Sequence, residues 1–556
     1  MAICPQCNAQ LRFDPAQQKL VCDYCEGIFD PESLKESQRG ATESPSDTDW
    51  EVIVFRCPQC GGEVYSTSTQ GAGFCSFCGA SATLQSRMAK AKRPDFIIPF
   101  QLTKEDCKKI LAKRLAKAWF LPSALRQHTK VDSFRGIYMP YYLYRTNIEG
   151  HITLERDTER RKGNYLITTY YEIEGDISAD YKWVYFDSSS SFDDSISTSL
   201  APYDLTSLKP FNTNYFSGFY ADTADLPVNL FYPLTHGLTT ALCARELQND
   251  SRLTKYYVQS SSLGDTTTSI EETRYALFPV WFLAYRSLDR IAYAAINAQT
   301  GAIAIDLPVS FPRVLLGSLW FTLAFFTVAE LFSYTWDFNT LTVIVSLVLV
   351  LIARMYAKNV KGIAANAANE NDLGKLYKAR QAASRAKANS NAQVLNSTDQ
   401  DPQQFDDVLQ KAQDRAQNRL RGSENDSSCT GSCIVVVLYS IFFLLASACW
   451  SNGGQFFCLM AVNGLLIYYE ARFIALFRKL PAKQRFGKGL LLAMLSGIGS
   501  FGVTILCPVL DAWYYSGILA MLGSIVIMML EIIKQYNVLA TRRLPQFDMQ
   551  GGDDDA

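Results

Sequence analysis

Over the first 312 residues apolar positions come in short, interrupted stretches. From residue 313 they gather into six long runs: Val314–Tyr334, Leu341–Tyr356, Cys433–Trp450, Phe456–Phe477, Leu490–Val509 and Trp513–Ile533. Most approach the ~20 residues a helix needs to cross hydrocarbon, and the second needs its flanks. The pattern predicts a C-terminal bundle of about six transmembrane helices. Residues 134–312 are rich in Tyr, Phe, Thr, Ile and Val broken by turn signals, which predicts mostly β structure. Strands are expected at Ile137–Tyr144, Tyr165–Glu172, Tyr181–Phe186, Ala276–Tyr285, Arg290–Ile296 and Ala302–Ile305, with a turn at 297–301 and a loop at 188–191. The similarity of Pro140-Tyr141-Tyr142-Leu143 to Pro279-Val280-Trp281-Phe282 hints at two related sheets. Upstream, Thr103 with Asp106 reads as a capping box, and Ile110, Leu111, Leu115, Ala118 and Trp119 give its helix an apolar stripe.

These segments divide the chain into units. Residues 1–36 and 51–86 form two cysteine modules joined by a polar linker, 37–50. A basic helical connector at 87–133 leads to the β-rich domain, 134–312. Transmembrane helices 1–2 (313–357) and 3–6 (433–535) flank a polar helical loop at 358–432, and an acidic-ended, disordered tail closes the chain at 536–556. The fold class is therefore a multi-domain α+β membrane protein.

Charge fixes the expected orientation. The 556 residues carry 53 Lys+Arg against 54 Asp+Glu, a net charge of -1, which excludes a globally basic nucleic-acid binder. A mean hydropathy of -0.01 resembles a soluble protein only because it averages two unlike halves. Residues 354–432 hold 12 Lys/Arg and residues 472–489 hold six, whereas 336–339, 451–455 and 510–513 hold none. Positive loops stay inside, so both termini and the long loop are expected in the cytoplasm of a bacterial inner-membrane protein. The connector carries a net +7 over residues 87–117, suited to a solvated helix, to anionic lipid headgroups or to nucleic acid.

Eight of the 15 cysteines lie in the first 78 residues, and the N-terminus has no basic and apolar leader. Cys4, Cys7, Cys22 and Cys25 recur at an offset of 53 as Cys57, Cys60, Cys75 and Cys78, each set with 14 residues between its Cys-x-x-Cys pairs. Such pairs on a hairpin place four thiolates around one ion in a closed tetrahedron, which predicts two structural Zn²⁺. Modules of about 30 residues have too little core to fold without it. Arg12 and Lys19 are the first module's bases between its outer cysteines, and the second has none, which favours protein over nucleic acid as partner.

Catalytic chemistry is poorly supplied. There is no phosphate-binding loop, no His-Glu-x-x-His and no Gly-x-Ser-x-Gly; the histidines are His128, His151 and His236. The chain is expected not to be an enzyme. Within the apolar runs Glu330, Glu470, Arg472 and Glu531 are ionisable; each lies in the last third of its run, where headgroup contact competes with a transport path.

The strings CPQC and CDYC, CPQCGGEV and FCSFCGA, RPDFIIPFQLTKEDCKKIL, GIYMPYYLY, LFPVWFLAY and YAAINAQTGAIAIDLP give the chain a family likeness, strongest over residues 50–315. It resembles bacterial membrane proteins with transcription factor IIB-type zinc ribbons, often labelled as related to the primosomal replication-restart helicase. The helicase activity does not transfer, since the nucleotide-binding loop is missing. The resemblance implies a membrane scaffold associated with envelope-stress machinery of the phage-shock and flotillin type. The leading expectation is a zinc-binding membrane scaffold that recruits proteins. A membrane tether for nucleic acid and a six-span transporter or channel are the alternatives.

Overall fold

The computed structural model describes residues 2–34, 49–59, 63–66, 85–122, 134–162, 165–253, 256, 263, 265–287, 290–331, 338–367, 372–378, 381, 452–477, 487–506 and 509–543. At the N-terminus β1 (Leu11–Asp14), β2 (Lys19–Cys22) and β3 (Ile28–Phe29) form a small antiparallel sheet. There follow β4 (Asp49–Arg56), β5 (Glu63–Ser66), β6 (Gln85–Lys92), β7 (Phe96–Ile97), α1 (Lys104–Ala116), β8 (Arg135–Lys162), β9 (Tyr165–Asp187) and α2 (Asp194–Leu200). Then come β10 (Lys209–Pro210), β11 (Tyr220–Asp222), α3 (Tyr232–Asn249), β12 (Thr266–Ser287), β13 (Arg290–Asn297) and β14 (Ile303–Ile305). The remainder is α4 (Phe311–Leu331), α5 (Phe338–Ala367), α6 (Asn452–Phe477), α7 (Lys488–Leu506), α8 (Ala512–Leu539) and β15 (Arg542–Arg543).

The large sheet runs β10-β7-β12-β8-β11-β5-β4-β6, with β13 on β12 and β9 on β8. Its two central strands are almost wholly apolar over 136–144 of β8 and 275–282 of β12, because both faces are covered there. Tyr138, Tyr142, Tyr275, Leu277 and Trp281 enter one core, while Ile137, Met139, Tyr141, Leu143, Phe278 and Val280 enter the other. The pleat alone achieves this division, since alternate residues point to opposite faces. The two Pro-aromatic strings lie on adjacent antiparallel strands of this one sheet, with Tyr138 opposite Pro279, and not on two sheets. The Thr103–Asp106 capping box is present on α1, which buries Cys107, Leu111 and Leu115.

Several expectations need correction. The segments Tyr165–Glu172 and Tyr181–Phe186 belong to one 23-residue strand, and β8 runs on for 28 residues. Polar alternation over 145–162 resembles loop sequence but is the pattern of a half-solvated hairpin. The connector at 87–133 is not helical throughout: residues up to Lys92 lie in β6, held along its length by β4. That pairing also draws Asp49 and Trp50 out of the linker at 37–50. Among the described residues three helical segments, not six, are long and apolar enough to cross a membrane: Leu341–Asn366, Lys488–Leu506 and Ala512–Leu539. Two further runs lie on α4 and α6, the latter interrupted by Glu470 and Arg472. The run at 433–450, most of the loop at 358–432 and the acidic tail fall outside the described residues.

Beyond Gly150, where β12 stops pairing, β8 and β9 continue as a two-stranded arm. Its register sorts charge by face. Arg156, Arg160 and Lys162 share one side with Tyr165, Ile167 and Tyr171, whereas Glu155, Asp157, Glu159, Glu172, Glu174 and Asp176 share the other, with Arg161 at the tip as the exception. At the opposite end the sheet meets the helices. Asn537 of α8 exchanges two hydrogen bonds with the backbone of Val309, and β15 pairs with β13. Leu373 and Leu376 are buried in the sheet's core, and Lys375 reaches Asp372 at 2.8 Å and Asp193 at 3.2 Å.

Candidate metal centre

Two tight turns of the same build carry the first cysteine set. Asn8 N–H donates to the Cys4 carbonyl at 2.9 Å, and Glu26 N–H donates to the Cys22 carbonyl at 3.0 Å. Asn8 and Glu26 both sit in the left-handed region, with φ of 61° and 58°. Repeating this geometry before β1 and after β2, side by side at the open end of the hairpin, brings the pairs face to face. Cys4 Sγ lies 3.5 Å from Cys25 Sγ and Cys7 Sγ lies 3.4 Å from Cys22 Sγ, with all four sulfurs within 4.8 Å of one another.

Those separations exceed a disulfide bond and suit an ion. A tetrahedron with metal–sulfur bonds near 2.3 Å has edges of about 3.8 Å. Burial opposes ionisation of Cys4, but the backbone N–H groups of Gln6 and Cys7 hold its thiol below the usual range. Cys22 is drawn down to about 7, chiefly by the N–H of Cys25 and then of Tyr24, against its burial. At Cys7 the Ala9 N–H pulls downward, yet burial and the neighbouring thiols push it up to about 12. A cluster in which some thiols favour ionisation and others resist it is what four crowded sulfurs give before a cation joins them. Among the described residues this is the one group of three or more Cys, His, Asp or Glu side chains that could hold an ion.

The hairpin is wedged against the large sheet. Leu11, Phe13 and Leu20 join its core, Phe13 N–H donates to Ser217 O at 3.0 Å, and Gln18 Nε2 donates to Phe100 O at 2.6 Å. Lys209 closes the other side on Glu32 at 3.0 Å. The outer side exposes apolar side chains among polar ones: Tyr24, between Cys22 and Cys25, is 83% exposed, with Ile3 and Ile28 also exposed beside Gln6, Asp23 and Glu26. Arg12 turns to Asp23 at 3.4 Å, which leaves little free positive charge on this module.

Of the second set, Cys57 is buried at the end of β4, while Cys60, Cys75 and Cys78 lie outside the described residues. His151 is exposed and bonds Asp176 at 3.0 Å, His236 lies on α3, and His128 is outside the described residues. Glu330 falls on α4 and Arg472 is exposed against Tyr468. Glu470 and Glu531 face the helical core, and there the structure adds two residues that sequence reasoning missed, Tyr356 and Gln535. An isolated Tyr or Gln near the end of an apolar run carries no signal of its own; the i, i+4 spacing of Glu531 and Gln535 was the available clue.

No protein-family model matches the chain, and no solved structure matches it. A stretch of 332 residues, 57% of the chain, is 26% identical to the uncharacterized protein YdjG of Bacillus subtilis (strain 168), over 92% of that protein.

Proposed function

We propose that the chain is a zinc-binding scaffold of the bacterial cytoplasmic membrane, whose zinc ribbons and sheet domain recruit protein partners. The observation that carries this reading is the two-sidedness of the first cysteine module. Its inner side is locked into the sheet by Phe13 and Leu20, and its outer side presents Tyr24, Ile3 and Ile28 beside the four thiols. An ion held by four sulfurs has no open position for substrate, so its work is to fix that outer surface. Thiolate-rich tetrahedral sites select zinc among the common divalent ions. The second set, Cys57, Cys60, Cys75 and Cys78, holds a second Zn²⁺ in this reading. The membrane-crossing helices anchor the scaffold, both termini lie in the cytoplasm, and envelope stress is the setting.

Metal analysis of the purified full-length chain gives two Zn²⁺, and Cys57→Ser or Cys75→Ser removes one. A photo-crosslinking residue at position 24 captures proteins in cells, and nuclease leaves the yield unchanged. Retention on DNA or RNA that weakens steeply with salt would instead favour the tether. Modification of the demetallated N-terminal cysteines by a membrane-impermeant thiol reagent in intact cells would refute the orientation.

A further inference from the structure

The β8–β9 arm loses its cover partway along. Near its base one face lies under α3, where Ile152 and Leu154 pack with Cys243 and Ala244. Arg156 ends that layer, over the rings of Tyr171 and Tyr256 at 5.5 and 6.0 Å from their centres. From there to the tip both faces are open. Tyr165 is 78% exposed on the basic face, with Ile167 beside it, and Tyr170 is 80% exposed on the acidic face, with Leu166. Large apolar side chains gathered on both faces of a thin arm mark a surface that meets something else.

The two strands carry different chemistry. Along β8, Glu155, Asp157 and Glu159 on one face alternate with Arg156 and Arg160 on the other. Along β9, Tyr170 and Leu166 alternate with Tyr171, Ile167 and Tyr165. An identical arm laid basic face on acidic face, pointing the same way, puts β8 over β8 and β9 over β9. Arg156 then meets Glu155 and Asp157, and Arg160 meets Glu159. Tyr171 meets Tyr170, while Ile167 and Tyr165 meet Leu166. Faces packed ~10 Å apart let side chains of this length interlock. Arg161 is the like-signed exception, at the exposed tip where salt screens it.

A polyanion fits less well than a second copy. Residues 151–176 carry four Lys/Arg against six Asp/Glu, a net -2, so a phosphate at any base of β8 also meets the acids of the neighbouring positions. The arm also runs about 40 Å beyond Gly150, at the end of the sheet away from the membrane helices. Two open faces of about 30 by 10 Å bury roughly 600 Å² together, under the ~1,000 Å² of an interface that holds in free solution. Copies anchored in one bilayer carry their arms upright at one height, and that confinement supplies the concentration a small contact needs.

We propose that membrane-anchored copies of this chain stack their arms, basic face on acidic face, into open rows. Each copy gives a different face to each of its two neighbours, so nothing closes the row. The inference rests on the anchorage in the proposed function, but on neither its zinc nor its recruited proteins. Donor- and acceptor-labelled full-length chains in phosphatidylcholine liposomes show energy transfer above that of randomly spread chains. Arg156→Glu with Arg160→Glu abolishes the excess, and so does Glu155→Lys with Glu159→Lys. Mixing these two variants restores it, because each reversed face then meets its opposite. Where a reversed arm fails to fold and mixing restores nothing, the unreversed arm decides. A photo-crosslinking residue at position 170 captures Tyr171, Ile167 or Tyr165 of a second copy. Native transfer at the random level, transfer that both reversals leave unchanged, or capture from position 170 of lipid, nucleic acid or another copy's acidic face overturns the row. A chain that washes off the liposomes overturns the anchorage and the row together.

Discussion

In the large sheet the hydroxyls of Tyr138, Tyr142 and Tyr144 are buried and donate to the carbonyls of Tyr215, Leu226 and Val228 at 3.1, 3.0 and 2.8 Å. In the helical bundle Gln535 and Glu470 are buried as deeply, and polar atoms of both go without hydrogen bonds. The sheet is layered by irregular segments, and those flanking β11 bring the carbonyls of Tyr215, Leu226 and Val228 to these three phenols. A helix offers fewer such carbonyls, because most are already engaged along its own axis. Single unmet polar atoms occur beside the sheet as well, at Ser188, Asn214 and Ser217, but these three phenols are spent on structure, while the bundle leaves both amide atoms of Gln535 unmet.

Four measurements press on this contrast. The largest effect is expected at the ribbon, the sheet's outer layer, where structural zinc supplies ~10–16 kcal/mol of apparent binding energy in small modules. Cys22→Ser lowers the metal content by one ion per chain and opens the chain to trypsin at Arg12 and Lys19, with the helices unaffected. Next, Phe100→Ala removes a fully buried ring stacked 4.1 Å from Phe219 and costs about 3–5 kcal/mol in denaturant unfolding followed by tryptophan fluorescence.

A pH experiment probes the sheet's own buried acid. Burial pushes Asp222 up to about 6, although the hydroxyls of Ser189 and Ser191 act against it. The folded state thus holds this proton more tightly than the unfolded chain. Its contribution to stability is complete below about pH 4 and is lost as the pH rises through 6, a span worth about 3 kcal/mol. Asp222→Asn flattens that slope when unfolding is followed across pH 4–7. The smallest effect has the opposite sign. Glu470→Leu stabilises the bundle by about 1–3 kcal/mol, because it removes a buried carboxyl oxygen with no hydrogen bond among the described residues. Destabilisation of that size would put Glu470 among the structural groups and erase the contrast.

The parts legible in the sequence were those with short-range causes. The thiol cluster follows from Cys-x-x-Cys spacing, and the cap of α1 follows from Thr103 and Asp106. Long-range consequences left no local trace: Phe13 docks beside Ser217, and Gln18 reaches the Phe100 carbonyl 82 residues away. Helix α3 was hidden by Pro233 and by Thr235, Thr239 and Thr240, whose hydroxyls bond back to carbonyls one turn earlier. At Glu470 position along the run suggested a headgroup contact, whereas only the facing of α6 toward α5 and α7 decides what it meets.

The charge-sorted arm bears on solubility. Along its outer edge β9 leaves backbone donors and acceptors open, since among the described strands it pairs with β8 alone. Such an edge invites polymerisation, strand against strand. Two copies joined antiparallel through β9 would lay Glu172, Glu174 and Asp176 of both on a common side, and like charges set against each other repel that union. The arm's carboxylates thus act as a built-in guard against fibre growth.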